Sequence, residues 1–124
     1  MAKTKINIKY TNIESTPAIE EYLNKKLAKI GEFAEREQDE VILRVEVGKT
    51  TKHHQSGDVF RAEIQTHFSG QDFRAVTETD DLYAAIDEAK GEILREIKNN
   101  KAKKDTLLKK SGRRVKHMLK RFYR

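Results

Sequence analysis

The chain has 124 residues, 37% charged and 36% hydrophobic, with 26 Lys and Arg against 20 Asp and Glu for a formal net charge of +6. Such a length leaves room for one domain rather than a two-domain enzyme, and for a sheet with two helices rather than a deep substrate cavity. Zero Cys excludes a disulfide framework and thiolate metal sites; no run nears the ~18 apolar residues of a membrane span, and Met1-Ala2-Lys3 leads into Ile6 and Ile8 without the apolar stretch of a signal peptide, so a soluble cytoplasmic protein is expected.

In the first segment, Ile6, Ile8 and Tyr10 alternate with Lys5, Asn7 and Lys9, the two-residue period of a half-buried strand. Thr16 then offers an N-cap hydroxyl and Pro17 suits the first helical position, where a missing N–H costs nothing. The helix that follows carries Ile19, Leu23, Leu27, Ile30 and Ala34 along one face, with Glu20 and Glu21 in its first turn. Val41, Leu43, Val45 and Val47 alternate through a second strand, and Gly48 to Gly57 reads as a long polar loop.

Phe60, Ala62, Ile64, Thr66 and Phe68 share one face of a third strand. Ser69-Gly70 reads as a tight turn into a fourth, with Phe73, Ala75 and Thr77 buried. Asp80 can cap a second helix from about Asp81 to beyond Lys98, whose Leu82, Ile86, Ala89, Ile93 and Ile97 follow the helical repeat. The predicted order is β-α-β-β-β-α, an α+β fold with both helices on one face of a four-stranded sheet, whose last four elements look like a double-stranded-RNA-binding domain (dsRBD-like). The first two strands should be parallel through a right-handed helical crossover and the others antiparallel. The open sheet face would carry Lys5, Lys9, Arg44, Arg61, His67 and Arg74 mixed with Glu46 and Glu63.

Charge is unevenly placed. Residues 1–98 hold 15 basic and 19 acidic side chains, whereas residues 99–124 hold 11 basic ones and a single acid, Asp105. The expected organisation is a domain over 1–104 and a basic, flexible tail over 105–124. A polyanion is the natural partner of such a tail, RNA or DNA before anionic membrane, and the alternative is a solvated segment that aids solubility.

Basic residues also form ridges on the helices. Lys25 and Lys29 are one turn apart with Lys26 beside them, and Arg95, Lys98 and Lys101 advance in threes before Lys103 and Lys104. Pairing of Lys25 with Glu21 and of Arg95 with Glu92 as ordinary surface ion pairs is the bland alternative. In the tail Lys109, Lys110, Arg113, Arg114, Lys116, Lys120 and Arg121 interleave with Val115, Met118, Leu119 and Phe122, which fall on one helical face if the segment folds, and Gly112 would separate it from the preceding helix.

Catalytic sets are missing from the pattern. His53 and His54 with Asp58 and His67 meet no fixed metal-ligand spacing and read as a polar loop, and no serine has a nucleophile-elbow context. The carboxylate pairs Asp80-Asp81 and Asp87-Glu88 lie at or near a helix start, where capping and the dipole account for them. No enzyme activity, cofactor, metal, membrane or small-molecule substrate is expected.

The run Asp81-Leu-Tyr-Ala-Ala-Ile-Asp87, following a strand with Phe73-Arg74-Ala75, resembles the ribosome hibernation-promoting factor and ribosome-associated translation inhibitor family. So does Thr16-Pro-Ala-Ile19 with Lys26-Leu-Ala-Lys-Ile30, and the likeness covers roughly residues 5–104. What the resemblance implies is a short-form, non-enzymatic stress-response protein, a monomer away from the ribosome. It would occupy the tRNA and mRNA channel of the small ribosomal subunit, block translation by steric exclusion and protect idle ribosomes. Lys26, Lys29, Arg95, Lys101, Lys103 and Arg74 would match positions that contact ribosomal RNA, while Glu20 and Glu92 stand where relatives often carry a basic residue. Rival readings are a generic RNA- or DNA-binding protein and a ribosome-dependent ribonuclease using His117 and the Lys120–Arg124 end, although ribonucleases of that type place helices before the sheet.

Overall fold

The structure, a computed structural model, describes residues 4–36, 40–50, 57–68 and 70–122, with residue 35 and those from 109 on described by backbone alone. The elements are β1 (Thr4–Thr11), α1 (Pro17–Arg36), β2 (Val41–Thr50), β3 (Val59–Phe68), β4 (Gln71–Thr79) and α2 (Leu82–Phe122). Their order and the strand faces agree with the periodicities in the sequence. The sheet runs β1-β2-β3-β4, with β1 and β2 parallel and the other neighbours antiparallel. Two compact units divide the chain, Met1–Leu94 and Arg95–Arg124.

Burial follows the two-residue period. Leu43 and Val47 of β2 and Ala62 and Ile64 of β3 are buried, whereas Ile42, Arg44, Gln65 and His67 between them are exposed. Among the described residues, therefore, one sheet face is covered and the other is largely open. Leu23, Leu27 and Ile30 of α1 and Ile86 and Ile93 of α2 are fully buried; each such side chain contributes roughly 1.5–3 kcal/mol relative to exposure. Phe33 of α1 meets Phe68 of β3 with ring centroids 5.9 Å apart. From β4, the Thr77 hydroxyl donates to the Ala85 carbonyl of α2 at 2.6 Å, a buried polar stitch between sheet and helix.

Local chemistry sets the helix starts. The Ile19 amide donates to Thr16 Oγ1 at 3.2 Å, and the Ser15 hydroxyl donates to Glu20 at 2.6 Å across the first turn of α1. For α2 the cap is Asp81, not the expected Asp80: the Ala84 amide donates to Asp81 Oδ2 at 3.1 Å, and the Asp81 amide donates to Thr79 Oγ1. One residue's shift arises because Thr79 ends β4 and its hydroxyl holds the backbone of Asp81, leaving that carboxylate over the first free amides.

Two further expectations are corrected. Gly48 belongs to β2 rather than to a loop, opposite Thr11 of β1, and a Cβ there would stand 2.3 Å from the Thr11 carbonyl oxygen; the residue is glycine because two backbones meet. Nor does Gly112 break the last helix, since α2 is helical through it to Phe122. One glycine costs a helix only about 1 kcal/mol, and the Lys, Leu and Arg around it are good helix formers. At the β3–β4 turn Gly70 has φ of 77°, as a tight hairpin requires.

Candidate nucleic-acid interface

The predicted cations divide into those committed to carboxylates and those left open. Lys26 is committed. Its ammonium lies 3.2 Å from Asp87 of α2 and 5.3 Å from the ring centre of Tyr22. The Tyr22 hydroxyl donates to the other Asp87 oxygen at 2.7 Å, and the Tyr22 ring meets Tyr83 edge-on with centroids 4.7 Å apart. Tyr22 and Lys26 are one turn apart on α1, as Tyr83 and Asp87 are on α2, so two i, i+4 pairs face each other and clamp the helices together.

Titration follows from that geometry. The hydrogen bond to Asp87, then burial, pushes the Tyr22 phenol up to about 12. Burial alone would raise Asp87, but the bond from Tyr22 and the adjacent Lys26 more than offset it, and the carboxyl is held below its ordinary value. Asp87 is thus the anchor of a helix–helix contact, a role that helix-dipole reasoning from its position does not provide.

Lys25 and Lys29 differ from Lys26 although they share its helix. Both are exposed, and among the described residues neither lies within ion-pair distance of a carboxylate, so the Lys25–Glu21 pair is not formed. Spaced one turn apart on the same helix face, they have Cβ atoms about 6 Å from each other. On the Arg95–Arg124 unit, Arg95 and Lys103 are likewise exposed, and among the described residues the expected Arg95–Glu92 pair is also not formed. Lys98 is exposed and Lys101 and Lys104 half-buried, each with a polar or charged partner. For Lys109, Lys110, Arg113, Arg114, Lys116, Lys120 and Arg121 the structure places the backbone on α2.

On the open sheet face Arg74 is drawn into a network. Glu63, only 8% exposed, accepts from Arg74 Nε, from Gln65 at 3.0 Å and from Arg61 at 3.3 Å. Its burial would raise its pKa, yet the Gln65 and Arg74 bonds and the Arg61 charge hold it below the usual value. Glu63 is the residue that sequence reasoning undervalued. Its signal is present in the pattern: Arg61 and Glu63 are two apart on one strand face, and Arg74 is the diagonal cross-strand neighbour set by the Gln65–Arg74 register.

Two shallow depressions of about 270 and 350 Å³ lie on this face, both bordered by Arg44 and Gln65. Among the described residues no group of three His, Asp or Glu side chains is placed to hold a metal; His53 and His54 lie outside them, and His67 is hydrogen-bonded to Asp72 at 2.7 Å. What the described surface offers is exposed cations on helices, suited to phosphate contacts that position a protein without reading bases.

Comparison with known proteins identifies the family. Residues 6–105 match the family model described as sigma 54 modulation protein / S30EA ribosomal protein. The chain is 33% identical over 99 residues to the ribosome hibernation promoting factor of Escherichia coli (strain K12), covering 79% of this chain and 94% of that protein. Against the factor of the same name from Klebsiella oxytoca identity is 31% with the same coverage. Among solved structures, the N-terminal domain of Thermus thermophilus Protein Y is 34% identical with a TM-score of 0.58, covering 79% of this chain and 96% of that one. A ribosomal subunit interface protein from Coxiella burnetii shares the fold, with a TM-score of 0.63 at 19% identity over 79% of this chain and 98% of its own.

Proposed function

Because the chain belongs to the sigma 54 modulation protein / S30EA ribosomal protein family, we propose that it is a cytoplasmic ribosome hibernation factor that binds the small ribosomal subunit and its ribosomal RNA. It sits in the tRNA and mRNA channel and inhibits translation by steric exclusion, without catalysis. The observation that carries this reading is the 33% identity that spans 94% of a ribosome hibernation promoting factor. The exposed charges of Lys25, Lys29, Arg95 and Lys103 supply the physical means: cations without a carboxylate partner among the described residues can replace counterions on phosphate.

Lys26 and Arg74 serve this function at one remove. Lys26 holds α1 to α2 and Arg74 holds the sheet-face network, so their substitution acts through stability before it acts on RNA. The basic residues of the tail, Lys109 to Arg121, add further phosphate contacts along the channel.

Sucrose-gradient sedimentation of purified ribosomes with added protein tests the proposal. Co-migration with small subunits is expected, together with inhibition of cell-free translation and retention in the presence of excess duplex RNA. The affinity should fall with salt by a log–log slope of about −0.7 to −0.9 per phosphate neutralised. Protein that stays at the top of the gradient in dilute buffer, or that duplex RNA strips from the subunits, defeats it.

A further inference from the structure

The family match ends at residue 105, and α2 continues as helix to Phe122. At 100° per residue, Leu107, Leu108, Val115, Met118, Leu119 and Phe122 fall within an arc of about 120° on that segment. The seven Lys and Arg between 109 and 121 all fall outside that arc, over about 160° of the remaining surface, with Arg114 bordering it next to Leu107. Leu107 and Leu108, whose side chains are described, are 63% and 71% exposed. These two members of the apolar arc are thus left uncovered on a strongly cationic helix.

We propose that residues 105–122 of α2 form an interfacial helix that lies on an anionic lipid surface, a binding activity beyond the ribosome reading and independent of it. Charge and apolarity together select this partner. RNA offers phosphates to the cationic side but no apolar layer for six hydrophobic positions. A second copy would bring two segments, each with 11 basic residues and one acid between residues 99 and 124, against one another. An anionic leaflet supplies negative headgroups for the Lys and Arg arc and an acyl boundary for the apolar one. Among the described residues no helix is long and apolar enough to cross a membrane, so the mode is lying on the surface, not spanning it.

Flotation of the full chain with vesicles of phosphatidylglycerol and phosphatidylcholine, against vesicles of phosphatidylcholine alone, tests this. Binding is expected to the anionic vesicles only, and Leu107→Asp and Leu108→Asp should each weaken it about tenfold. Both leucines are exposed, so the variants should keep the parent's urea midpoint, which is measured alongside. Three results overturn the proposal: failure to float with anionic vesicles while duplex RNA still retains the protein; flotation that L107D and L108D leave unchanged, which is charge attraction alone; and a leucine-dependent dimer in sedimentation, which assigns the apolar stripe to a second copy.

Discussion

Replacing Asp87 by Ala removes two interactions at once: the hydrogen bond from the Tyr22 hydroxyl at 2.7 Å and the ion pair with Lys26 at 3.2 Å. A hydrogen bond to a charged acceptor is worth about 1.5 kcal/mol at this partly exposed site, and the ion pair, open to solvent on both sides, adds at most a few tenths after screening. The expected loss is roughly 1.5 kcal/mol, or a Tm lower by about 6 °C for a chain of this size. Urea unfolding measures it. Tyr22→Phe removes the same bond from the other side, so the double variant should lose about 1 kcal/mol less than the sum of the two. The sign with pH follows from Asp87 titrating below its ordinary value in the folded state: its contribution is complete above about pH 3.8 and disappears as pH falls through the lower folded value. Wild type and Asp87→Ala should therefore converge in strongly acid urea titrations. Tyr22 provides an independent readout, because its phenol is held up to about 12 by Asp87 and should return toward 10 in the variant, followed by phenolate absorbance or NMR. Additive single and double variants, with Tyr22 titrating at its ordinary value throughout, would refute the clamp.

Glu63→Gln leaves Arg61 and Arg74 without their shared carboxylate and should cost roughly 1–2 kcal/mol at neutral pH; since Glu63 titrates below its ordinary value, the difference from wild type should be full above about pH 4.5 and fade as pH drops through the folded value. Gly48→Ala drives a methyl into the Thr11 carbonyl and should lower stability by roughly 2 kcal/mol in urea unfolding, with β1 amides losing hydrogen-exchange protection first. Joint replacement of Lys25, Lys29, Arg95 and Lys103 by Ala should leave the Tm within a degree or two while flattening the salt slope of ribosome binding by about 3. Lys26→Met, which loses a screened ion pair of a few tenths of a kcal/mol, should likewise leave the Tm within a degree or two but change the slope little. Equal slopes in the two variants would show that paired and open cations act alike.

Chain-local features were legible without coordinates. The two-residue alternation of β1 to β4, the three-and-four spacing of Leu23, Leu27 and Ile30, and the Thr16-Pro17 start of α1 each depend on neighbours within a few positions, so periodicity reveals them. The tyrosine-to-aspartate run from Tyr83 to Asp87 marked the family before its structural purpose was visible. Which ridge cations are open was not legible. Lys25, Lys26 and Lys29 look equivalent along the chain, and only the approach of α2 assigns Lys26 to Asp87, 61 positions away.

Composition and periodicity by themselves determined the element order, the covered sheet face and the concentration of positive charge in residues 99–124. Tertiary structure decided what particular residues do: Asp87 as a clamp, Glu63 as the hub of two arginines, Gly48 as the place where β1 and β2 backbones touch. The physical reason is range. A helix or strand repeat is an interaction between close neighbours in sequence, whereas the partner of a charge is whichever group the folded chain carries within a few ångströms, however distant it is along the backbone.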